Sequence, residues 1–261
     1  MINALIERGW ARFPREQVVQ DWAAAAFAIA KERVTAPEEQ RWLRAEGTWF
    51  VGVDTLPNDP LGRVGVSKQV AGAAMEAAQA LYGTLPLHRG QVSVIYPGYP
   101  RPVDGESETA FRYRLNRDAA HVDGLIPTGE ARRRYLLERH AYILGLPLTD
   151  CAGGASPISV WEGSHVIMRK AVELALSDLP HTEWKRVDLT DIYQAARREV
   201  FDTCERHVIE AGPGEAYLVH RLALHGVTPW QDGAQAPEEG RMIVYFRPEW
   251  PDSGDQWLTA P

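Results

Sequence analysis

The chain is poor in cysteine, in excess positive charge and in long apolar runs. Two cysteines, Cys151 and Cys204, occur in 261 residues; without a CxxC pair they favour structural thiols over a zinc site or a disulfide framework. A net charge of −7 provides no basic surface for a phosphate backbone, so nucleic acid is not an expected partner. No run of about 18 apolar residues occurs, which argues against a membrane-spanning helix. The first dozen residues lack the apolar core of a signal peptide, so we expect a cytoplasmic protein with no membrane partner.

The composition is that of a globular protein with a sizeable core. Hydrophobic residues make up 45% of the chain and charged residues 24%, both close to the average for such proteins. The length suits one domain, and no internal repeat or low-complexity linker divides it. We therefore expect a single domain over residues 1–261, with a mainly helical N-terminal part at 1–85 and a β-rich core at 86–261.

Helical patterns dominate the first third. Residues 15–31 are rich in alanine with apolar residues at helical spacing, and residues 67–83 end on a glycine suited to a helix C-terminus. Helical spacing returns at about 164–204, which predicts a helical insertion within the later, β-rich part.

Short apolar runs bounded by Gly, Pro and Asp follow from residue 90 onward. They are QVSVIYPGYP, RYLLERHAYILGLPLTD, SPISVWEGSH, RHVIEAGPGEAYLVHRLALHG and RMIVYFRPEW. Runs of this length and β-branched content indicate an antiparallel barrel or jelly roll. The predicted class is therefore mainly β with flanking helices.

The segment AAHVDGL contains the first candidate for chemistry. In an extended segment, His121 and Asp123 point to the same face, because side chains alternate along a strand. Two histidines and one carboxylate with open positions are typical of non-haem Fe(II) oxygenases. A third ligand is therefore needed, and the candidates are His140, His165, His207, His220 and His225.

His225 is the favoured third ligand. It ends an apolar run that begins at a Gly-Pro-Gly turn, and Thr228 follows shortly after. A slipped alignment would place His220 there instead. Sixteen residues after His225, Arg241 opens the run RMIVYFRPEW, where its planar guanidinium could bind a dicarboxylate through two hydrogen bonds.

Taken together, these segments resemble the phytanoyl-CoA dioxygenase family of Fe(II)- and 2-oxoglutarate-dependent oxygenases. The resemblance rests on AHVDG, SPISVWEGSH, HRLALHGVTPW and GRMIV, in family order over residues 120–244. It implies a double-stranded β-helix (jelly roll, cupin-like), with His121, Asp123 and His225 as iron ligands. It also implies that Arg241 binds the distal carboxylate of 2-oxoglutarate. Val227 stands where the family often has a small hydroxyl residue, so we assign that contact to the neighbouring Thr228.

The resemblance implies a dioxygenase that uses Fe(II), 2-oxoglutarate and O2 to hydroxylate a small organic substrate. Related halogenases lack the carboxylate ligand, so the presence of Asp123 argues against halogenation. The alternative is a cupin-like metal-binding protein that acts as a binding module or catalyses another reaction. Arg241 discriminates between the two, because such a protein needs no dicarboxylate anchor.

Arg132, Arg133 and Arg134 form a basic cluster soon after the His-x-Asp segment. One interpretation is that they bind an anionic group of the substrate. The more ordinary one is a solvated surface with Glu130 and Glu138 as partial counter-charges.

Overall fold

The computed structural model describes residues 1–250 and 253–261. The strands in these ranges are β1 (Trp10–Phe13), β2 (Leu43–Arg44), β3 (Trp49–Phe50), β4 (Gln91–Ile95), β5 (Leu125–Thr128), β6 (Arg133–Leu136), β7 (Tyr142–Pro147), β8 (Ile158–Trp161), β9 (Arg206–Ile209), β10 (Ala216–His220), β11 (His225–Val227) and β12 (Arg241–Phe246). The α-helices are α1 (Ile2–Arg8), α2 (Gln17–Thr35), α3 (Ala73–Tyr82), α4 (Glu108–Asn116), α5 (Ser164–Leu176), α6 (Thr190–Thr203) and α7 (Gln256–Thr259). Two 3₁₀ helices lie at Pro37–Trp42 and Trp184–Arg186.

The strands form a large sheet, a smaller sheet and a hairpin. The large sheet has the order β1-β10-β7-β12-β4-β3-β2, the smaller one β11-β8-β9, and the hairpin pairs β5 with β6. All recorded strand pairs are antiparallel. Most neighbours in the large sheet are distant in sequence, which is typical of a jelly roll.

The side chains of β12 point alternately into two layers of the hydrophobic core. Ile243 and Tyr245 point toward the smaller sheet, where they pack with Ile158 and Val160 of β8. Met242, Val244 and Phe246 point the other way, into a core shared with the N-terminal helices. Both faces of the large sheet are therefore covered, and its central strands are buried along their whole length.

The N-terminal helices cover the outer face of the large sheet. On α2, one stripe of side chains at helical spacing is buried, consisting of Val19, Trp22, Ala23, Ala26, Ala30 and Val34. Small alanines let the helix lie close to the sheet. The insertion helices α5 and α6 pack instead beneath the smaller sheet, in a cluster that includes Trp161 of β8.

The observed elements follow the predicted ones, with differences at their ends. The helix predicted at 15–31 runs over Gln17–Thr35, and α5 and α6 fill the predicted insertion. The first 85 residues also contribute β1, β2 and β3. β1 pairs with β10 and β3 with β4, so these short strands depend on partners elsewhere in the chain. Both cysteines are free thiols. None of the helices within the described ranges combines the length and apolar character that a membrane crossing needs.

Candidate metal centre

The His-x-Asp segment has an extended backbone that ends in a sharp turn. Because side chains alternate, His121 and Asp123 share one face, while Val122 points to the other and is buried in the cluster beneath the smaller sheet. The turn comes at Gly124, whose φ is +81° and where a Cβ would lie 2.3 Å from the carbonyl oxygen of Glu138. Only glycine fits this conformation and this close approach.

Backbone pairing brings the distal histidine next to the first one. The His121 N–H donates to the His225 carbonyl at 2.8 Å, and the His225 N–H donates to the His121 carbonyl at 3.0 Å. One residue further, a Cβ on Gly226 would lie 2.2 Å from the Asp118 carbonyl oxygen. The glycine after His225 therefore allows the strand that contains the first two ligands to lie against β11.

The three predicted ligands converge. One ligand atom from each of His121, Asp123 and His225 lies within 4.8 Å of the others. His121 Nε2 is 3.1 Å from Asp123 Oδ1, and His225 Nε2 is 3.6 Å from Asp123 Oδ2. His225 is buried, at 5% exposed, whereas the His121 side chain is 44% exposed. The centre therefore opens to solvent on the His121 side.

Both imidazoles are held in the tautomer that a metal ligand requires. His121 Nδ1 donates to the Ala119 carbonyl at 3.0 Å, and His225 Nδ1 donates to the Ala223 carbonyl at 2.9 Å. A proton on Nδ1 leaves the lone pair of Nε2 free, and Nε2 is the atom that faces Asp123 in both rings. Such a bond at the second nitrogen is the usual way in which proteins orient a metal-binding histidine.

The carboxylate of Asp123 is held in its ionised form. Burial alone would raise its pKa, but neighbouring positive charge, that of the Arg247 guanidinium foremost, outweighs burial, so the pKa lies well below its usual value. Arg247 Nε donates directly to Asp123 Oδ2. Two neutral imidazole nitrogens and one carboxylate oxygen form a donor set that suits Fe(II), with positions left open for other ligands.

His220, the alternative third ligand, is part of another cluster. Its ring packs against His165 with centroids 4.8 Å apart, and Arg169 Nη2 lies 3.0 Å from its Nε2. Burial and neighbouring cations hold the pKa of His220 well below its usual value. Among the described residues, the one group able to hold a metal comprises His121, Asp123 and His225, without His220.

Arg241 and Thr228 are buried polar side chains with unused hydrogen-bonding capacity. They are 5% and 3% exposed. Within residues 1–250 and 253–261, neither Arg241 Nη1 nor Thr228 Oγ1 has a hydrogen-bond partner. Unpaired groups of this kind are rare in protein interiors, because burial removes the water that would otherwise bind them. Both are therefore suited to receive an oxygen-rich ligand.

Arg241 lies at the end of β12 remote from Arg247. Their positions differ by six, which corresponds to about 20 Å of strand at roughly 3.3 Å per residue. Arg241 lines a cavity of about 150 Å3 whose walls include Pro157, Tyr217 and Ile243. The metal ligands are not among the residues that line this cavity. Further along the same face of β12, the Tyr217 hydroxyl donates a hydrogen bond to the Tyr245 hydroxyl at 2.9 Å.

Arg247 is the functional candidate that the sequence reasoning missed. Side chains alternate along an extended segment, so a period of two from Arg241 predicts the same face for Arg247. Its partner Asp123 lies 124 positions away in sequence, and no local pattern pairs them.

The basic cluster contacts the hairpin and the helical insertion. Arg133 Nε lies 2.9 Å from Asp188 Oδ2. Arg134 donates to the Leu125 carbonyl at 2.7 Å, and its guanidinium lies 4.9 Å from the ring centre of Tyr193. These contacts favour the structural interpretation of both arginines.

Comparison with solved structures identifies proteins with a similar fold. The chain is similar to SnoN, a non-heme alpha-ketoglutarate-dependent epimerase from nogalamycin biosynthesis. The TM-score is 0.50 and the identity 15%, over 95% of this chain and 79% of SnoN. At this identity the likeness shows the fold alone, and it confirms the predicted jelly roll with flanking helices.

Two further likenesses are weaker and add nothing to the fold assignment. The non-heme monooxygenase ThoJ, in its nickel complex, matches with a TM-score of 0.47 and 15% identity, over 95% of this chain and 76% of ThoJ. EctD from S. alaskensis with bound Fe matches with 0.44 and 14%, over 95% of this chain and 75% of EctD. No protein-family model matches the chain, and no curated protein matches its sequence.

Proposed function

We propose that this protein is an Fe(II)- and 2-oxoglutarate-dependent dioxygenase of the phytanoyl-CoA dioxygenase type that hydroxylates a small organic substrate. The observation that carries the proposal is the convergence of His121, Asp123 and His225, with both Nε2 atoms free and the carboxylate ionised. Two histidines and one carboxylate of this kind are the donor set of non-haem Fe(II) oxygenases.

The residues present fit the cosubstrate as well as the metal. His121, Asp123 and His225 would hold iron, while Arg241 and Thr228 would hold the distal carboxylate of 2-oxoglutarate. A buried guanidinium with a free N–H and a buried hydroxyl without a partner supply charge-assisted donors for a carboxylate. When bound, iron and 2-oxoglutarate supply the oxidising power that inserts an oxygen atom of O2 into a C–H bond.

Hydroxylation is the proposed outcome because Asp123 occupies the carboxylate position. Related structures carry other outcomes: SnoN is described as an epimerase and SnoK, from the same biosynthesis, as a carbocyclase. Since those reactions differ on similar folds, the outcome depends on where the substrate carbon sits relative to the metal.

The substrate is proposed to be a small molecule that approaches the metal centre from the exposed side of His121. The enzyme is proposed to be cytoplasmic, without nucleic-acid or membrane partners. An anionic group on it would follow from the sequence interpretation of Arg132, Arg133 and Arg134. Since Arg133 pairs with Asp188 and Arg134 bonds to the Leu125 carbonyl, Arg132 is the member of the cluster whose side chain makes no such contact within residues 1–250 and 253–261. Arg132→Gln should therefore weaken turnover of an anionic substrate, and the effect should fade at high salt.

A thermal-shift titration separates this proposal from a cupin-like binding protein. Co(II) replaces Fe(II) so that no oxidation occurs, and 2-oxoglutarate is added to the metal-loaded protein. A ligand at about 100 times its Kd stabilises the folded state by about 2.7 kcal/mol, so the melting temperature should rise. Glutarate, which lacks the keto oxygen, is the matched control ligand. No rise with 2-oxoglutarate at any concentration would refute the cosubstrate and favour the binding protein.

A further inference from the structure

Arg247 connects the metal centre to the large sheet through its side chain. Its Nε donates to Asp123 Oδ2 and its Nη1 donates to Gln91 Oε1. The guanidinium carbon also lies 5.4 Å from the ring centre of Tyr245. The Arg247 and Asp123 side chains are only 18% and 13% exposed, so solvent screens their attraction weakly. Gln91 fixes the far end of the guanidinium and thereby fixes its direction toward Asp123.

The backbone of Arg247 is held by two further side chains. Its N–H donates to His88 Nε2 at 2.7 Å, and its carbonyl accepts from His140 Nδ1 at 2.9 Å. His88 is suited to accept, because its Nδ1 bonds to the Arg89 carbonyl at 2.5 Å and burial lowers its pKa. An arginine fixed at both backbone and side chain is a precise support for the group that it touches.

The two oxygens of Asp123 have different surroundings. Oδ2 accepts from Arg247 Nε and lies 3.6 Å from His225 Nε2, while Oδ1 has no contact with Arg247 and lies 3.1 Å from His121 Nε2. A carboxylate that is free to rotate can bind a metal through one oxygen or through both. One that already holds a guanidinium on one oxygen binds through the other, because moving both oxygens to the metal would break a buried charge-assisted bond.

We propose that Arg247 is a positioning residue that restricts Asp123 to binding the metal through Oδ1 alone. This inference rests on the proposed function, since it assigns a role within the same metal centre. One-oxygen binding keeps the remaining positions of the metal free for cosubstrate and O2. Lysine cannot replace arginine fully here, because an ammonium group lacks the planar fork that reaches Asp123 and Gln91 together.

The test measures metal binding in the absence of 2-oxoglutarate, so that it does not depend on turnover. Co(II) is titrated calorimetrically into wild type, Arg247→Gln and Arg247→Lys, and the visible Co(II) spectrum is recorded for each. Arg186→Gln is the matched control, because the Arg186 side chain forms an exposed pair with Glu183 at 2.6 Å. Thermal melts of the metal-free proteins verify folding, and Arg247→Lys serves as the probe if the glutamine variant does not fold.

The expected result is a loss of about 10–100-fold in Co(II) affinity for Arg247→Gln, the usual effect of removing a group that orients a metal ligand. Arg247→Lys should recover part of this loss, and the spectrum of Arg247→Gln should change because the carboxylate can now bind through both oxygens. Arg186→Gln should bind and absorb as wild type does.

Wild-type Co(II) affinity and spectrum in Arg247→Gln would overturn the inference. If only the 2-oxoglutarate affinity of the Co(II)-loaded variant fell, Arg247 would be a contact of the cosubstrate and the positioning role would be wrong. Failure of the proposed function looks different: wild type would bind Co(II) but not 2-oxoglutarate, while Arg247→Gln would still show its loss of Co(II) affinity.

Discussion

The substitution Gly226→Ala tests how closely the segment with His121 and Asp123 must approach the strand with His225. In Gly226→Ala, the new Cβ would lie 2.2 Å from the Asp118 carbonyl oxygen and 3.0 Å from the Asp118 carbonyl carbon. Gly226 is not among the glycines with positive φ, so alanine can adopt its backbone conformation. The predicted effect is therefore a pure steric one, and the atom in the way belongs to the backbone, which cannot rotate aside.

The magnitude follows from this clash. An ordinary carbon–oxygen contact is about 1 Å longer than the clash distance, so the segment ending at His121 must move by about that amount relative to His225. Ligand distances in a metal site tolerate only about 0.2 Å. We expect Co(II) affinity to fall by about 10-fold or more, which corresponds to at least about 1.4 kcal/mol. Overpacking should also lower folding stability by about 1–3 kcal/mol.

Calorimetric titration with Co(II) measures the affinity, and a denaturant melt of the metal-free protein measures the stability. Gly212→Ala is the matched control, because the nearest atoms to its Cβ would be the ends of flexible side chains, with Asp150 Oδ1 at 3.3 Å, Arg15 Nη2 at 3.4 Å and Glu215 Oε2 at 4.0 Å. Wild-type Co(II) affinity in a folded Gly226→Ala protein would show that the ligand segments need not approach so closely, and the reasoning would be refuted.

Three further predictions concern the ligands, the cosubstrate and the response to acid. His225→Ala should abolish metal-dependent turnover and Co(II) binding, whereas His220→Gln should keep Co(II) binding; the reverse result would identify His220 as the ligand. Arg241→Ala should weaken 2-oxoglutarate binding by about 2–5 kcal/mol with Co(II) affinity unchanged, and equal calorimetric 2-oxoglutarate affinities would contradict the assignment. Because the pKa of Asp123 is depressed in the folded state, its ionised form contributes stability above its unfolded value of about 3.9. That contribution is lost as the pH falls toward the folded pKa. The metal-free wild type should therefore lose stability more steeply on the acid side than Asp123→Asn does, and parallel pH–stability curves would show that Asp123 is not held ionised.

The sequence by itself predicted the class of fold, which the structure confirms, and it proposed three metal ligands, whose side chains the structure brings together. Short apolar runs bounded by Gly, Pro and Asp after residue 90 predicted an antiparallel β core, and helical spacing at 164–204 predicted the insertion, because run length and spacing reflect how each element is buried. The spacing of His121 and Asp123 predicted that their side chains share a face, and the motif order of the family resemblance added His225 as the third ligand. These inferences could be drawn from the sequence because each depends on residues that are near one another in sequence, or on a motif order that a resemblance supplies.

Only the tertiary structure decided which distant groups meet. The contact between Arg247 and Asp123 and the bonds from His88 and His140 to the Arg247 backbone join segments that no local pattern relates. Position 226 must likewise be glycine because of a distant group, the Asp118 carbonyl on another segment. Sequence periodicity fixes the direction of a side chain relative to its own strand, whereas strand pairing and sheet packing fix what lies in that direction.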